Sequence, residues 1–137
     1  MRISILTVSL ILGSAVGKTQ QVFTYLSRSA PYGSNKSQLC LDAALATAVF
    51  EQKVNYVFLD DGVYQLLKEQ DADAIKTKTI GRAFQALDLY GIKDIFVKED
   101  SLLERNLKTE DLVIEVHLLD NKKLANLLEN SDNIINL

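Results

Sequence analysis

The 137 residues are enough for one domain with its own apolar core, and the composition, 47% hydrophobic and 24% charged, is ordinary for a globular protein. A single cysteine, Cys40, excludes an intramolecular disulfide, and a single histidine, His117, excludes a zinc site of the usual cysteine and histidine kind. The formal net charge of −3, without a basic stripe, argues against unaided binding of nucleic acid.

The amino-terminal segment differs from the rest of the chain. Arg2 precedes an apolar run at residues 3–12, and small residues follow at the spacing of a secretory signal. The run is too short for a comfortable transmembrane helix. Because nothing later is typical of an exported domain, we expect residues 1–20 to be a non-core extension and residues 21–137 to form the domain. A cleaved signal peptide and a start site assigned too early are the alternatives.

Residues 13–19 (GSAVGKT) resemble a phosphate-binding loop after a β-like run. That motif requires four residues between its glycines, and here there are three. The missing residue changes which backbone N–H groups converge on a phosphate, so we reject a nucleotide site here.

From Val22 the chain alternates short apolar runs with helical patterns, which is typical of repeated βα units and a mainly parallel sheet. In chain order, the first half is predicted to contain a strand at 22–26, a loop at 27–34, a helix at 37–52, a strand at 54–59 and a short helical turn at 63–68.

A polar link at residues 69–78 begins the second half. It precedes a helix whose apolar stripe is Ile80, Ala83, Phe84 and Leu87, with Gly91 placed to end it. The elements that follow are a strand at 95–97, a short helix at 101–106, a strand at 112–118, a helix at 121–130 and a strand at 133–137. The pattern predicts a flavodoxin-like three-layer α/β sandwich, with a mainly parallel five-stranded sheet and helices on both faces.

The first predicted helix lacks a broad polar face. Between Leu39 and Phe50 only Asp42 and Thr47 are polar, although a helix on the surface of a small sheet should expose polar residues. We therefore expect this helix to contact another subunit. The alternative is an alanine-rich helix whose small side chains are exposed at little cost.

Five short motifs occur in order along the chain. They lie at residues 25–33 (YLSRSAPYG), 41–46 (LDAALA), 58–67 (FLDDGVYQLL), 89–91 (LYG) and 101–105 (SLLER). Together they resemble the TusC/DsrF branch of the DsrE/DsrF-like family over residues 22–137. The third motif is the most specific, because a strand end, a DDG turn and a helix follow one another as in that branch.

The resemblance implies a cytoplasmic, non-catalytic subunit of a heterohexameric sulfur-relay complex, without a cofactor or metal, and without direct contact to nucleic acid or membrane. The implied partners are TusB/DsrH-like and TusD/DsrE-like chains and, through the complex, a TusE/DsrC-like sulfur acceptor. In that family the persulfide is carried by a cysteine of the TusD/DsrE-like partner, after its third strand. Residues 97–101 (VKEDS) match that position and contain no cysteine.

Two sulfur pathways fit the resemblance. The complex serves either 2-thiolation of the wobble uridine of tRNA or dissimilatory sulfur oxidation, and the compact carboxyl-terminal half favours tRNA thiolation. A stand-alone sulfurtransferase using Cys40 is the alternative of a different class. Cys40 is flanked by Leu39 and Leu41, which favours a packing role, although the nearby helix amino end would lower a thiol pKa.

Other polar residues have both structural and chemical interpretations. Asp60 and Asp61 are expected to cap a short helix and set the turn before Gly62, the alternative being a Mg²⁺ or nucleotide site. His117, placed at the end of the fourth predicted strand, is expected to be a hydrogen-bonded structural residue. The tyrosines that could cluster near the carboxyl ends of the first two strands, in a groove or by ordinary packing, are Tyr25, Tyr32 and Tyr64.

Overall fold

Short runs of β-branched and aromatic residues form the strands, because such side chains suit the pleated surface of a sheet. The computed structural model describes residues 20–68, 83–84 and 86–137. Over these residues, five strands form one parallel sheet in the order β4-β3-β2-β1-β5. The strands are β1 (Val22–Ser27), β2 (Lys53–Phe58), β3 (Asp94–Lys98), β4 (His117–Leu119) and β5 (Asn133–Asn136).

Helices connect these strands. The α-helices in the described ranges are α1 (Lys36–Val49), α2 (Glu99–Leu103) and α3 (Asn121–Glu129), and the 3₁₀ helices are Asp60–Leu66, Leu87–Tyr90 and Thr109–Asp111. Ala83 and Phe84 are also helical. Asp120 fixes the start of α3, because its carboxylate accepts a hydrogen bond from the Lys123 amide at 2.7 Å. Within 20–68, 83–84 and 86–137, no helix combines the length and apolar character needed to cross a bilayer.

The strand order places helices on both faces of the sheet. From β1 to β4 the chain moves in one direction across the sheet, and β5 then returns to the far side of β1. Because crossovers between parallel strands are right-handed, this reversal places α1 and α3 on opposite faces. The carboxyl ends of all five described strands meet at one edge of the sheet, the position where α/β folds place binding groups.

Two apolar clusters occupy the two faces. One contains Tyr25 of β1 with Cys40 and Leu41 of α1. The other contains Leu26 of β1, against which Leu124 of α3 is packed. Consecutive residues of β1 thus enter opposite clusters, as the alternation of a strand requires. The predicted flavodoxin-like α/β sandwich with helices on both faces is confirmed.

The fourth strand is the main error of the sequence prediction. The apolar residues 112–118 were expected to form it, but the structure assigns only His117–Leu119 to β4. Leu112 instead forms an antiparallel bridge with Leu67, and the Val113 amide donates to the Leu66 carbonyl at 2.7 Å. This local pairing satisfies the backbone of that segment before it reaches the parallel sheet, and His117 accordingly begins the strand and does not end it.

The sequence misplaces one helix end and predicts another correctly. The first helix stops at Val49 and not at residue 52, because Glu51 adopts a left-handed conformation with φ of 61°. Gly91 ends the 3₁₀ helix Leu87–Tyr90 with φ of 86°, as its position predicts. The polar link at 69–78, Ile80 and the amino-terminal extension lie outside the described residues, apart from Gln20.

Candidate functional site

The candidate site lies at the carboxyl edge of the sheet, where the chain leaves β1, β2 and β3. Its residues come from the loop after β1, from the 3₁₀ helix Asp60–Leu66 that follows β2, and from α2 after β3. Gly62 is packed so closely against β1 that a Cβ atom there would lie 2.0 Å from the Ser27 carbonyl oxygen. This close approach of two backbones holds the DDG turn against the end of β1.

Asp60 has an unusual backbone conformation at this edge. Its φ of 52° lies in the left-handed region, which aspartate adopts more readily than most residues. The Asp60 amide donates a hydrogen bond to the Ser101 hydroxyl at 2.9 Å, so α2 supports the turn from the side of β3. The end of β1 and a buried serine of α2 thus hold the backbone of the turn that carries the two neighbouring carboxylates.

Both carboxylates of the DDG turn bind arginines. Arg28 Nη1 lies 2.9 Å from Asp60 Oδ2, and Arg105 Nη2 lies 2.9 Å from Asp61 Oδ1. Arg105 also donates to the Ser101 carbonyl at 3.1 Å, and its guanidinium lies 5.9 Å from the centre of the Tyr64 ring. These arginines had not been singled out as site residues. Their pairing depends on strand register and therefore leaves no local sequence signal.

The expectation that one of the two aspartates caps the following helix is wrong, although a turn does precede Gly62. The 3₁₀ helix they begin has Leu59 at its cap position and no capping hydrogen bond from a side chain. The alternative of a metal site also lacks support, because each carboxylate is neutralised by an arginine. In the described ranges no group of three or more His, Cys, Asp or Glu residues could hold a metal ion.

Cys40 lies in the second turn of α1 and is fully buried. Burial raises the pKa of its thiol to about 11, although the hydroxyls of Tyr56 and Ser27 act in the opposite direction. The helix amino end therefore does not produce a reactive thiolate. A persulfide carrier must form a thiolate that donor and acceptor can reach, and this thiol meets neither condition.

The three tyrosines that the sequence places near the carboxyl ends of the first two strands have different surroundings in the structure. Tyr25 is buried below α1, where its hydroxyl bonds to Thr47 and lies 3.2 Å from the Ala43 carbonyl. Tyr32 is exposed in the loop after β1, whereas Tyr64 lies beside Arg105. The ring of His117, an exposed residue, lies 5.5 Å from that of Phe96. We therefore assign no shared groove to the three tyrosines and no chemistry to His117.

An exposed apolar surface lies at the opposite, amino edge of the sheet. It consists of Val49 and Phe50 at the end of α1, and Leu89 and Tyr90 of the 3₁₀ helix before β3. We call it the amino-edge surface. The two helices pack against each other, and Val49 and Leu89 expose 72% and 87% of their surface. The sequence predicts an interface on α1, but it does not predict that Leu89 and Tyr90 belong to the same exposed surface.

Comparison with known proteins identifies the family. The model of the DsrE/DsrF-like family matches residues 21–137. The chain belongs to the DsrE/DsrF-like family. Similar curated proteins carry the TusC and DsrF names, which confirms the predicted TusC/DsrF branch.

Three relatives of this DsrE/DsrF-like chain illustrate the similarity. A TusC homolog of Vibrio vulnificus (strain CMCP6) is 38% identical over 112 residues, covering 82% of this chain and 95% of the relative. A TusC homolog of Pseudomonas aeruginosa is 36% identical over 117 residues, covering 85% of this chain and 98% of the relative. The intracellular sulfur oxidation protein DsrF of Allochromatium vinosum is 43% identical over 91 residues, covering 66% of this chain and 67% of the relative.

A solved structure of low sequence identity has the same fold. The crystal structure of the ychN protein from E. coli superposes with a TM-score of 0.71, covering 87% of this chain and all of that chain at 17% identity. At this identity the similarity concerns the fold alone.

Proposed function

We propose that this chain is a non-catalytic, cytoplasmic structural subunit of a heterohexameric sulfur-relay complex. TusB/DsrH-like and TusD/DsrE-like chains would complete the complex, and a TusE/DsrC-like protein would accept the sulfur. The names TusC and DsrF among the relatives support this proposal. The domain responsible would be residues 21–137, with residues 1–20 as a non-core extension.

The observation that carries the proposal is the burial of the only thiol. Cys40 is enclosed by the core below α1, and its raised pKa keeps the thiol protonated at neutral pH. The segment after β3, where the family's carrier cysteine is expected in a partner, begins α2 with Glu99 and Asp100. A relay that passes through this chain would have no accessible sulfur nucleophile, so the persulfide would travel on a sister subunit.

The exposed apolar side chains support an assembly role. A monomeric protein rarely exposes neighbouring large apolar residues, whereas subunit interfaces have apolar cores. The amino-edge surface includes the carboxyl end of α1, the helix that the sequence predicted to contact another subunit. This agreement favours a sister chain as the partner of this surface.

Between the two pathways, we favour 2-thiolation of the wobble uridine of tRNA. The TusC relatives align over 95% and 98% of their length, whereas the DsrF relative aligns over 67% of its length. A DsrF-like role in sulfur oxidation is the alternative. The nature of the neighbouring genes distinguishes the two, because sulfite-reductase genes would indicate oxidation.

Co-expression tests the proposal directly. A tagged chain is produced together with TusB- and TusD-like chains of the same organism, and the mass of the purified complex is measured by native mass spectrometry. We expect one heterohexamer, and we expect Cys40→Ser to leave both assembly and transfer of sulfur to the acceptor unchanged. A chain that stays monomeric beside its partners contradicts the proposed assembly, and loss of sulfur transfer in an assembled Cys40→Ser complex contradicts the non-catalytic role.

A further inference from the structure

An open groove of about 540 Å³ lies beside β4, at the edge of the sheet opposite to β5. We call it the β4 groove. Its apolar lining comes from one stretch of chain, with the side chains of Leu112, Val113, Ile114, Val116 and Leu118. Charged side chains also line it, namely Lys68, Glu110 and Glu115. We propose that the β4 groove binds an extended, apolar and basic segment of a partner protein, which adds to the sheet beside β4.

The stretch that lines the groove has the composition of a strand, but only its end pairs as one. Val113, Ile114 and Val116 are β-branched, which favours the extended backbone of a sheet. The structure nevertheless begins β4 at His117, and β4 contains only 3 residues. Strands usually contain about five or six. Within the described part of the chain, residues 114–116 thus have the side chains of a strand without a neighbouring strand.

The backbone of residues 114–116 is available for pairing. The antiparallel pairing with Leu66 and Leu67 ends at Val113, whose amide donates to the Leu66 carbonyl. Among the described residues, no carbonyl or side chain accepts a hydrogen bond from the amides of residues 114–116. These residues are exposed or half-buried, so a partner can reach them. An extended peptide adds as a further strand to such an edge, because its backbone satisfies the unpaired amides.

The charged side chains of the groove define the chemistry of the partner. Lys68, Glu110 and Glu115 are exposed, and none of them forms an ion pair with a residue of the described chain. Two carboxylates against one lysine favour a partner segment with basic side chains. Two copies of this chain paired through this edge would bring their carboxylates together, and like charges on neighbouring strands are destabilising. The groove therefore fits a different chain, whose segment combines apolar residues with lysine or arginine.

The β4 groove is separate from the amino-edge surface that the proposed function uses. That surface lies at the amino ends of the strands, whereas the groove follows the outer side of the last strand. The subunit can therefore bind sister chains through one surface and an extended segment through the other. This inference goes beyond the proposed function and does not depend on it, because the groove belongs to the isolated chain.

A titration of the isotopically labelled full chain, followed by amide NMR, tests the proposal. The probe is a capped synthetic peptide of about nine residues that alternates valine with threonine and lysine. We expect saturable shifts confined to Lys68 and residues 109–119. The same peptide with methylated backbone nitrogens should bind at least about threefold more weakly, because it has lost the donors that pair with a strand. Absence of saturable binding, or shifts at another surface, overturns the proposal. Shifts that grow with protein concentration before peptide is added identify a second copy as the occupant and overturn it as well.

Charge reversal in the groove provides a second measurement. Glu110→Lys combined with Glu115→Lys should weaken binding of the lysine peptide at least about tenfold and strengthen binding of a peptide with glutamate in place of lysine. Both positions are exposed, so the amide spectrum of the variant should remain that of the folded chain. Glu129→Lys is the matched control, since Glu129 is exposed at the end of α3 that leads into β5, and it should leave binding unchanged. Equal binding of the lysine peptide by the double variant and the unmodified chain overturns the proposed recognition.

Discussion

Gly62 and Ser27 are in such close contact that the 3₁₀ helix after β2 lies directly on the backbone at the end of β1. A Cβ atom at Gly62 would lie 2.0 Å from the Ser27 carbonyl oxygen and 2.8 Å from its carbon. These are backbone atoms, so no rotation of a side chain can relieve the overlap. Glycine is required here for space, whereas the left-handed conformation of the turn falls on Asp60.

We predict that Gly62→Ala destabilises the fold by about 3 kcal/mol or more, since the backbone of the turn must move away from β1. Urea denaturation of the two proteins measures the difference. Gly33→Ala is the matched control, because Gly33 has φ of 87° but open space around the added carbon. Gly33→Ala should lower the free energy of unfolding by only about 1–2 kcal/mol, because alanine must adopt the left-handed backbone conformation there. Equal losses in the two variants would contradict the steric explanation.

The arginine pairs of the DDG turn should differ in strength. Arg105 exposes 17% of its side chain and has contacts to Asp61, Ser101 and Tyr64, whereas Arg28 exposes 43%. We predict that Arg105→Ala lowers the free energy of unfolding by about 1–2 kcal/mol and Arg28→Ala by less than about 1 kcal/mol, because exposed ion pairs contribute little. Chemical denaturation at one ionic strength tests the order, and the reverse order would refute it.

The sequence predicted the central sheet well because its local signals agree with the tertiary structure. Strands β1 and β2 are β-branched and aromatic runs that end at turn residues, and α3 begins at an aspartate cap. The segment before β4 was misread because an apolar run does not reveal its pairing partner, here Leu66 and Leu67.

The candidate site was predicted only in part. The DDG turn could be located from the sequence, but its ion pairs could not. Arg28 and Arg105 reach adjacent aspartates only after the parallel register has brought three strand ends together. The apolar character of α1 was visible, whereas its packing against Leu87–Tyr90 is a product of the strand order.

Cys40 should make stability fall in alkaline solution. Its folded pKa of about 11 lies above the ordinary value of 9.0, so the folded state holds the proton more tightly than the unfolded chain. The protonated thiol contributes fully to the free energy of unfolding below pH 9. This contribution, up to about 2 kcal/mol, is lost as the pH rises toward 11. Because burial also raises the pKa of Tyr25 and Tyr56, the decline must be compared with that of Cys40→Ala. An equal decline in both proteins would contradict this assignment.

The same burial predicts the reactivity of the thiol. Iodoacetamide at pH 8 should modify Cys40 only after the chain is unfolded in urea, because the folded protein offers neither a thiolate nor access. Intact-mass spectrometry over time measures the modified fraction. Rapid modification of the folded protein, at the rate of the urea-unfolded chain, would contradict the packing role and would revive the hypothesis of a carrier.

The amino-edge surface should govern assembly without affecting the fold of the subunit. We predict that Val49→Lys combined with Leu89→Lys weakens binding to the sister subunits at least about tenfold, since two lysines would have to be buried in an apolar interface. Both positions are highly exposed in the isolated chain, so its free energy of unfolding should change by less than about 0.5 kcal/mol per site. Leu103→Lys is the matched control: Leu103 is 66% exposed, but it lies on α2 at the carboxyl edge. Native mass spectrometry of the co-expressed chains reports assembly. If Leu103→Lys loses the complex while the double variant still assembles, the interface lies at the other edge of the sheet.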